Sequence, residues 1–235
     1  DIYNMSYGSG YGASSTYSLP QFLSSALEDG LKNGVNNLRG GKGAIYIQSS
    51  GNNYAEGSVL NCGGTLACTE MTIDRRSGVP YIIGVGSLAA SGVKSSYTTP
   101  GSAMWISGFG GEYGGNSAHT GGSAGDPAIM TIDQSSCSKG YVRSGVSAGT
   151  GSNSNAFNNG DHAENPSCDY VSTFNGTSSA APSVAGVVAL MLEANSDLTW
   201  RDVKHILATT ADQVDSSRSF DYLGVNQYEW ETNSA

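Results

Sequence analysis

Phe174-Asn175-Gly176-Thr177-Ser178-Ser179-Ala180-Ala181-Pro182 runs into Ser183-Val184-Ala185-Gly186-Val187-Val188-Ala189-Leu190-Met191-Leu192, and this stretch decides the fold. It reads as a strand end, a tight turn and a long apolar helix. Gly176 allows a close approach, Thr177 is a good N-cap, and small residues after Ser178 keep the junction open. Pro182 is tolerable because it falls in the helix's first turn. The apolar run after it predicts a helix buried on all sides. A serine at such a junction lies beside the helix's first free N–H groups and the positive end of its dipole, which can stabilise an oxyanion. Ser178 is therefore a candidate nucleophile, although the same pattern is also a plain helix start after a glycine turn.

Upstream, Ser18-Leu19-Pro20-Gln21 has the form of a capping box with proline in the first turn. Leu19, Phe22, Leu23, Ala26, Leu27 and Leu31 follow at helical spacing, which predicts an amphipathic helix over 19–33. The run Gly40-Gly41-Lys42-Gly43 breaks it. Ala44–Gln48, Tyr81–Gly86 and Ala128–Ile132 are short apolar runs suited to buried parallel strands. Thr199 through Asp202 caps a last helix, with Trp200, Val203, Ile206 and Leu207 on its buried face. Strands alternating with helices in this way predict an α/β fold, a parallel sheet with helices on both faces. Residues 108–170 are rich in Gly, Ser and Asn and too long for a plain connection. They are expected to form an ordered insertion held by a disulfide.

The 235 residues make one domain's worth of chain. A net charge of −9, with only 11 Lys plus Arg, argues against nucleic-acid or anionic-membrane partners. No apolar run reaches the length expected of a membrane span, and the 33 glycines suit a secreted protein with long ordered loops. Cys62, Cys68, Cys137 and Cys168 include no Cys-x-x-Cys pair and have no histidine neighbours, which argues against zinc. An even count favours two disulfides. Three connectivities are open, with the local pairings Cys62–Cys68 and Cys137–Cys168 preferred and four buried thiols the alternative.

Gly-Thr-Ser-x-Ala-Ala-Pro opening a helix at Gly176 resembles the nucleophile motif of the subtilisin-like serine proteases. Leu192-Glu193-Ala194-Asn195 with Leu198-Thr199-Trp200-Arg201-Asp202-Val203 resembles the kexin/furin-like branch. Asp1 through Gly8 resembles an early strand of that domain, and Ile45-Tyr46-Ile47-Gln48-Ser49-Ser50-Gly51-Asn52 the strand ending at the oxyanion-hole asparagine. The resemblance implies a secreted serine endopeptidase acting through an acyl-enzyme on Ser178. It implies that Asn52 donates to the oxyanion, whereas the residues alone would make Asn52 a turn residue tolerating left-handed backbone. It further implies that Ser6-Tyr7-Gly8 pairs with the substrate backbone and that Ser49-Ser50-Gly51 walls the pocket for the residue before the cleaved bond (P1).

Serine attack also needs a general base and an acid behind it. His119 and His162 lie in the Gly-rich region and His205 on the last helix, probing poorly as a base. The order His119, Asp133, Ser178 fits a different protease fold and carries little weight against these motifs. In the resembled family the catalytic Asp and His precede the part matched here, so residues 1–235 are expected to be an internal segment, inactive by itself, with those residues carried by the missing N-terminal part. The resemblance also implies structural calcium, a following β-domain, and a chaperone or propeptide. Kexin-like enzymes hold a basic P1 side chain with acidic groups, but Ser9-Gly10-Tyr11 and Thr98-Thr99-Pro100 stand where two of these are expected. Asp74 falls where a third is kept, which predicts a looser preference for basic P1. Pairing of Asp74 with Arg75 or Arg76 is the alternative, as a peptide-binding pseudoenzyme is the alternative to the endopeptidase.

Overall fold

The computed structural model describes residues 1–8, 23–54, 70–113, 127–144 and 156–214, and the backbone of 221–222 and 225–226. Four strands form the central sheet in sequence order: β1 (Ile2–Met5), β2 (Ile45–Ser49), β3 (Ile82–Leu88) and β4 (Met104–Phe109). All three pairings are parallel, with Ile2 opposite Ile45, Tyr46 opposite Ile82, and a register shift between Gly84 and Val85. Every residue of β2 is buried, as expected for a strand covered on both faces.

The cover comes from α1 (Ser25–Asn37) on one face and from α2 (Thr177–Ala194) and α3 (Trp200–Thr210) on the other. Leu31 and Val35 of α1 pack with Met5, Ala44, Tyr46 and Ile82. Ala180, Ala181, Val184 and Val188 of α2, with Val203 and Leu207 of α3, pack on Ile45, Ile47, Ile83 and Val85. Because the side chains of a strand alternate, each sheet face feeds its own core. The parallel sheet with helices on both faces stands as expected.

Three elements depart from the sequence reading. The first helix begins at Ser25, not 19: Ser24 is extended and its hydroxyl accepts from the Leu27 N–H at 3.4 Å. Residues 19–22 lie outside the described residues. The helix also runs past Gly34 to Asn37, and it is glycine at 34 because a side chain there would collide with the Tyr46 hydroxyl. Second, the run at 128–132 is not a buried parallel strand. It forms β5 (Ile129–Ile132), antiparallel to β6 (Tyr170–Phe174) in a separate two-stranded sheet, with Met130 and Ile132 exposed. β7 (Asp221–Tyr222) and β8 (Val225–Asn226) form another antiparallel pair.

Third, α2 is not buried all round. Its sheet-facing side is closed, whereas Val187 and Leu190 on the other side are 50% and 65% exposed. Contrary to the expectation that no apolar run is long enough, α2, with 18 residues and a mean hydropathy of 1.2, could cross a membrane by length and composition alone. Its seat on all four central strands is that of a core helix.

The last helix matches expectation: Thr199 Oγ1 accepts from the Asp202 N–H, and Asp202 accepts from the Thr199 N–H. Cys137 and Cys168 form a disulfide across 31 residues, worth about 3–4 kcal/mol in the chain-entropy picture. The Cys62–Cys68 pairing lies outside the described residues.

Candidate active site

Parallel strands deliver their C-terminal ends to one edge of the sheet, and ligands of open α/β sheets gather there. In this chain that edge carries Ser6-Tyr7-Gly8 after β1 and Ser49 through Asn52 at the end of β2. The N-terminus of α2 opens onto the same place. A cleft of about 360 Å³ is lined by Ser6, Tyr7, Gly8, Ser49, Ser50, Gly51, Asn52, Asp74 and Ser178. All nine residues singled out from the sequence are thus brought together, from segments up to 172 positions apart.

The junction that carries Ser178 is built by one glycine. Gly176 has φ 103° and ψ 163°, a conformation closed to L side chains, and it turns β6 sharply into α2. It is also the helix N-cap, so Thr177 is the first helical residue rather than the cap. The capping oxygen comes from elsewhere. Asn52 Oδ1 accepts from the Thr177 N–H at 2.8 Å and from the Thr177 hydroxyl at 2.9 Å. The Thr177 hydroxyl oxygen in turn accepts from the Gly51 N–H at 3.1 Å.

This network assigns the Asn52 amide unambiguously: its oxygen faces the helix, and its Nδ2 is left to donate into the cleft. Asn52 is exposed, and it is Gly51, at φ 106°, that takes the left-handed turn conformation, so the turn-residue alternative loses its basis. The Ser179 and Ala180 N–H groups return to Gly176 O. Among the first-turn amides that leaves the Ser178 N–H without a protein acceptor among the described residues. Ser178 N–H and Asn52 Nδ2 are thus two donors on residues that line the same cleft.

Ser178 is half-buried; its Oγ donates to Ser6 O at 3.4 Å, while Ser6 Oγ donates to Ser178 O at 2.9 Å. These bonds tie the N-terminus of α2 to the β1 edge. Tyr97, unremarked in the sequence except for the residues following it, anchors the same junction from below. Its buried hydroxyl accepts from the Gly176 N–H at 2.9 Å and donates to Gly111 O at 2.6 Å. Burial raises the Tyr97 phenol above its ordinary value, which keeps it protonated and able to donate. No local sequence signal marks Tyr97 or the orienting role of Thr177, because both depend on contacts across the fold.

Asp74 reaches the cleft already paired. Arg76 Nε donates to its Oδ1 at 3.0 Å and Arg76 Nη2 to its Oδ2 at 2.5 Å, with both side chains nearly buried. Hydrogen bonding and charge from Asp74 hold the Arg76 guanidinium above its ordinary value against the opposing effect of burial. The neighbour anticipated as an alternative partner is thus Arg76.

Neither described histidine lines the cleft. His162 sits against Phe157 with its Nδ1 accepting from the Glu164 N–H, and His205 borders a larger cavity of about 730 Å³ near Trp105 and Trp200. That larger cavity holds none of the nine residues. Asp133 is occupied by the backbone N–H groups of Gln134, Tyr141 and Val142, as a turn-organising residue would be. His119 lies outside the described residues. Among the described residues no three His, Cys, Asp or Glu side chains gather as a metal site.

The parallel sheet and the glycine junction that opens α2 define a subtilisin-like α/β fold. The family model for the subtilase family matches residues 1–226, and the chain belongs to that family. It is 36% identical over 182 residues to the extracellular serine protease of Aeromonas sobria, covering 74% of this chain and 27% of that protein. It is 32% identical over 181 residues to a calcium-dependent protease of Nostoc, covering 77% of this chain and 22% of that protein. It is 27% identical over 212 residues to human proprotein convertase subtilisin/kexin type 6, covering 90% and 16%. The solved complex of the Aeromonas sobria protease with its chaperone superimposes with a TM-score of 0.74 at 27% identity, covering all of this chain and 39% of that one. The chain therefore spans about a quarter or less of these three relatives' lengths.

Proposed function

We propose that this chain supplies the nucleophile and the oxyanion hole of a secreted serine endopeptidase of the kexin-like branch. The observation that carries it is the cleft in which Ser178 Oγ, Ser178 N–H and the Thr177-locked Asn52 amide lie together. Ser178 Oγ attacks the scissile carbonyl, its proton passes to a general base and from there to the leaving nitrogen, and the C–N bond breaks to release the amine. Water then releases the acyl group. The two N–H donors bear on the oxygen where negative charge develops, which is where such donors lower the barrier most. Ser6-Tyr7-Gly8 borders the cleft as a strand edge suited to an extended peptide.

No described histidine lines the cleft, so the acid and base are carried by residues beyond the described ones. Secretion follows the extracellular Aeromonas relative, structural calcium the calcium-dependent relative, and a chaperone partner the Aeromonas complex. Asp74 in the cleft supports a loose preference for basic P1. A second reading, a peptide-binding pseudoenzyme, is favoured by the absence of either described histidine from the cleft.

A fluorophosphonate probe applied to the full-length protein separates the two. Labelling of Ser178, abolished in Ser178→Ala together with several orders of magnitude of turnover, is expected. Labelling that persists on another serine, or none at all with peptide binding retained, would overturn the endopeptidase.

A further inference from the structure

The cleft that holds Ser178 contains a carboxylate, and that carboxylate already carries a guanidinium. Arg76 grips Asp74 with a two-point fork, Nε to Oδ1 at 3.0 Å and Nη2 to Oδ2 at 2.5 Å. This is the geometry in which a substrate arginine would be held. The fork is itself fixed. The Arg76 N–H donates to Asp74 Oδ1 at 3.1 Å, Nη2 also donates to Tyr7 O at 3.3 Å, and the guanidinium lies 4.7 Å from the Tyr7 ring centroid. Arg76 is 8% exposed, so the pair is shielded from solvent and from screening by salt. Tyr7 and Asp74 both line the cleft, so the guanidinium stands directly behind two of its lining residues rather than on a remote surface.

We infer that Arg76 is a specificity-determining residue that occupies Asp74 as a built-in substitute for a basic P1 side chain and thereby weakens selection for P1 Arg and Lys. The inference rests on the endopeptidase reading of the cleft. A cationic P1 group entering the site meets a carboxylate whose charge is matched and a guanidinium that repels it, while an apolar P1 group meets neither effect. Two-point pairing makes Arg76 hard to displace, whereas a single-point lysine in its place would yield more readily.

The test measures kcat/KM of the full-length protein on peptides that differ only at P1, Arg against Leu, with circular dichroism to verify folding. Arg76→Gln is expected to raise the Arg/Leu ratio roughly ten-fold or more, the effect of exposing a charged acceptor. In the Asp74→Asn background the same substitution is expected to leave the ratio unchanged. An unchanged ratio in folded Arg76→Gln, or a rise that persists without the Asp74 carboxylate, overturns the inference. Should Arg76→Gln not fold, Arg76→Lys retains the stem and charge but not the fork, and a rise of about three-fold is expected. No rise there overturns it equally. If the unsubstituted protein hydrolyses no peptide, the endopeptidase reading falls. The ratio is then read from Kd values of peptides ending in Arg or Leu, with the same expectations and the same refuting results.

Discussion

Replacing Asn52 separates its two tasks, because the two ends of its amide face different partners. Oδ1 caps α2 by accepting from the Thr177 N–H and hydroxyl, at 2.8 and 2.9 Å. Nδ2 is the end read as the oxyanion donor. Asn52→Leu removes both functions. The lost cap costs about 1–2 kcal/mol of stability, the usual cost of deleting an N-cap side chain. The lost donor costs about 10²–10³ in kcat, or about 2.7–4 kcal/mol of barrier, with little change in KM because the bond strengthens in the transition state. Asn52→Asp keeps an oxygen facing Thr177 and places a negative charge at the helix N-terminus, where the dipole favours it. It also replaces the donor with an acceptor that repels the oxyanion. Asn52→Asp is therefore expected to match the parent within about 0.5 kcal/mol in stability, the range of changes that break no specific feature. Its turnover is expected to fall at least as far as that of Asn52→Leu. Urea unfolding and steady-state kinetics on the full-length protein read the two quantities. If Asn52→Asp is as destabilised as Asn52→Leu, or if either variant keeps parental kcat, the division of labour across the amide is wrong.

Tyr97→Phe leaves the buried Gly176 N–H without its acceptor, while Gly111 O keeps the Ser95 hydroxyl. A loss of about 1–3 kcal/mol is expected in urea unfolding, and a loss below about 0.5 kcal/mol would show that the hydroxyl does not anchor the junction. Asp202 is held below its ordinary 3.8 by the Thr199 N–H and then by the Thr199 hydroxyl. Its capping contribution is accordingly present above the ordinary carboxylate value and lost as pH falls through the lower folded value. Thermal midpoints followed downward from about pH 5 should therefore decline more steeply in the parent than in Asp202→Asn. Equal slopes would remove Asp202 from the acid response.

Much of this protein was legible locally. Gly-Thr-Ser at 176–178, the Ile45–Ser49 strand with Asn52 just beyond it, and the Thr199–Asp202 capping box each depend on residues close in sequence, whose patterns are set by backbone geometry and period. Ala128–Ile132 misled because a short apolar run carries no record of its partner, and β6 pairs with it antiparallel outside the main sheet. The apolar run of α2 misled because composition does not say which face is covered, and only the sheet contact does.

By itself the sequence determined the α/β class and the serine at a glycine junction, which follow from local conformational preference, and its resemblance to the subtilisin-like proteases pointed to the other residues that line the cleft. Only the tertiary structure decided that Asn52 caps α2 from 125 positions away, that Tyr97 supports Gly176, and that Arg76 holds Asp74 against the Tyr7 edge. Those decisions depend on the direction and length of hydrogen bonds between side chains that folding alone brings within reach, and a hydrogen bond is lost over a few tenths of an ångström.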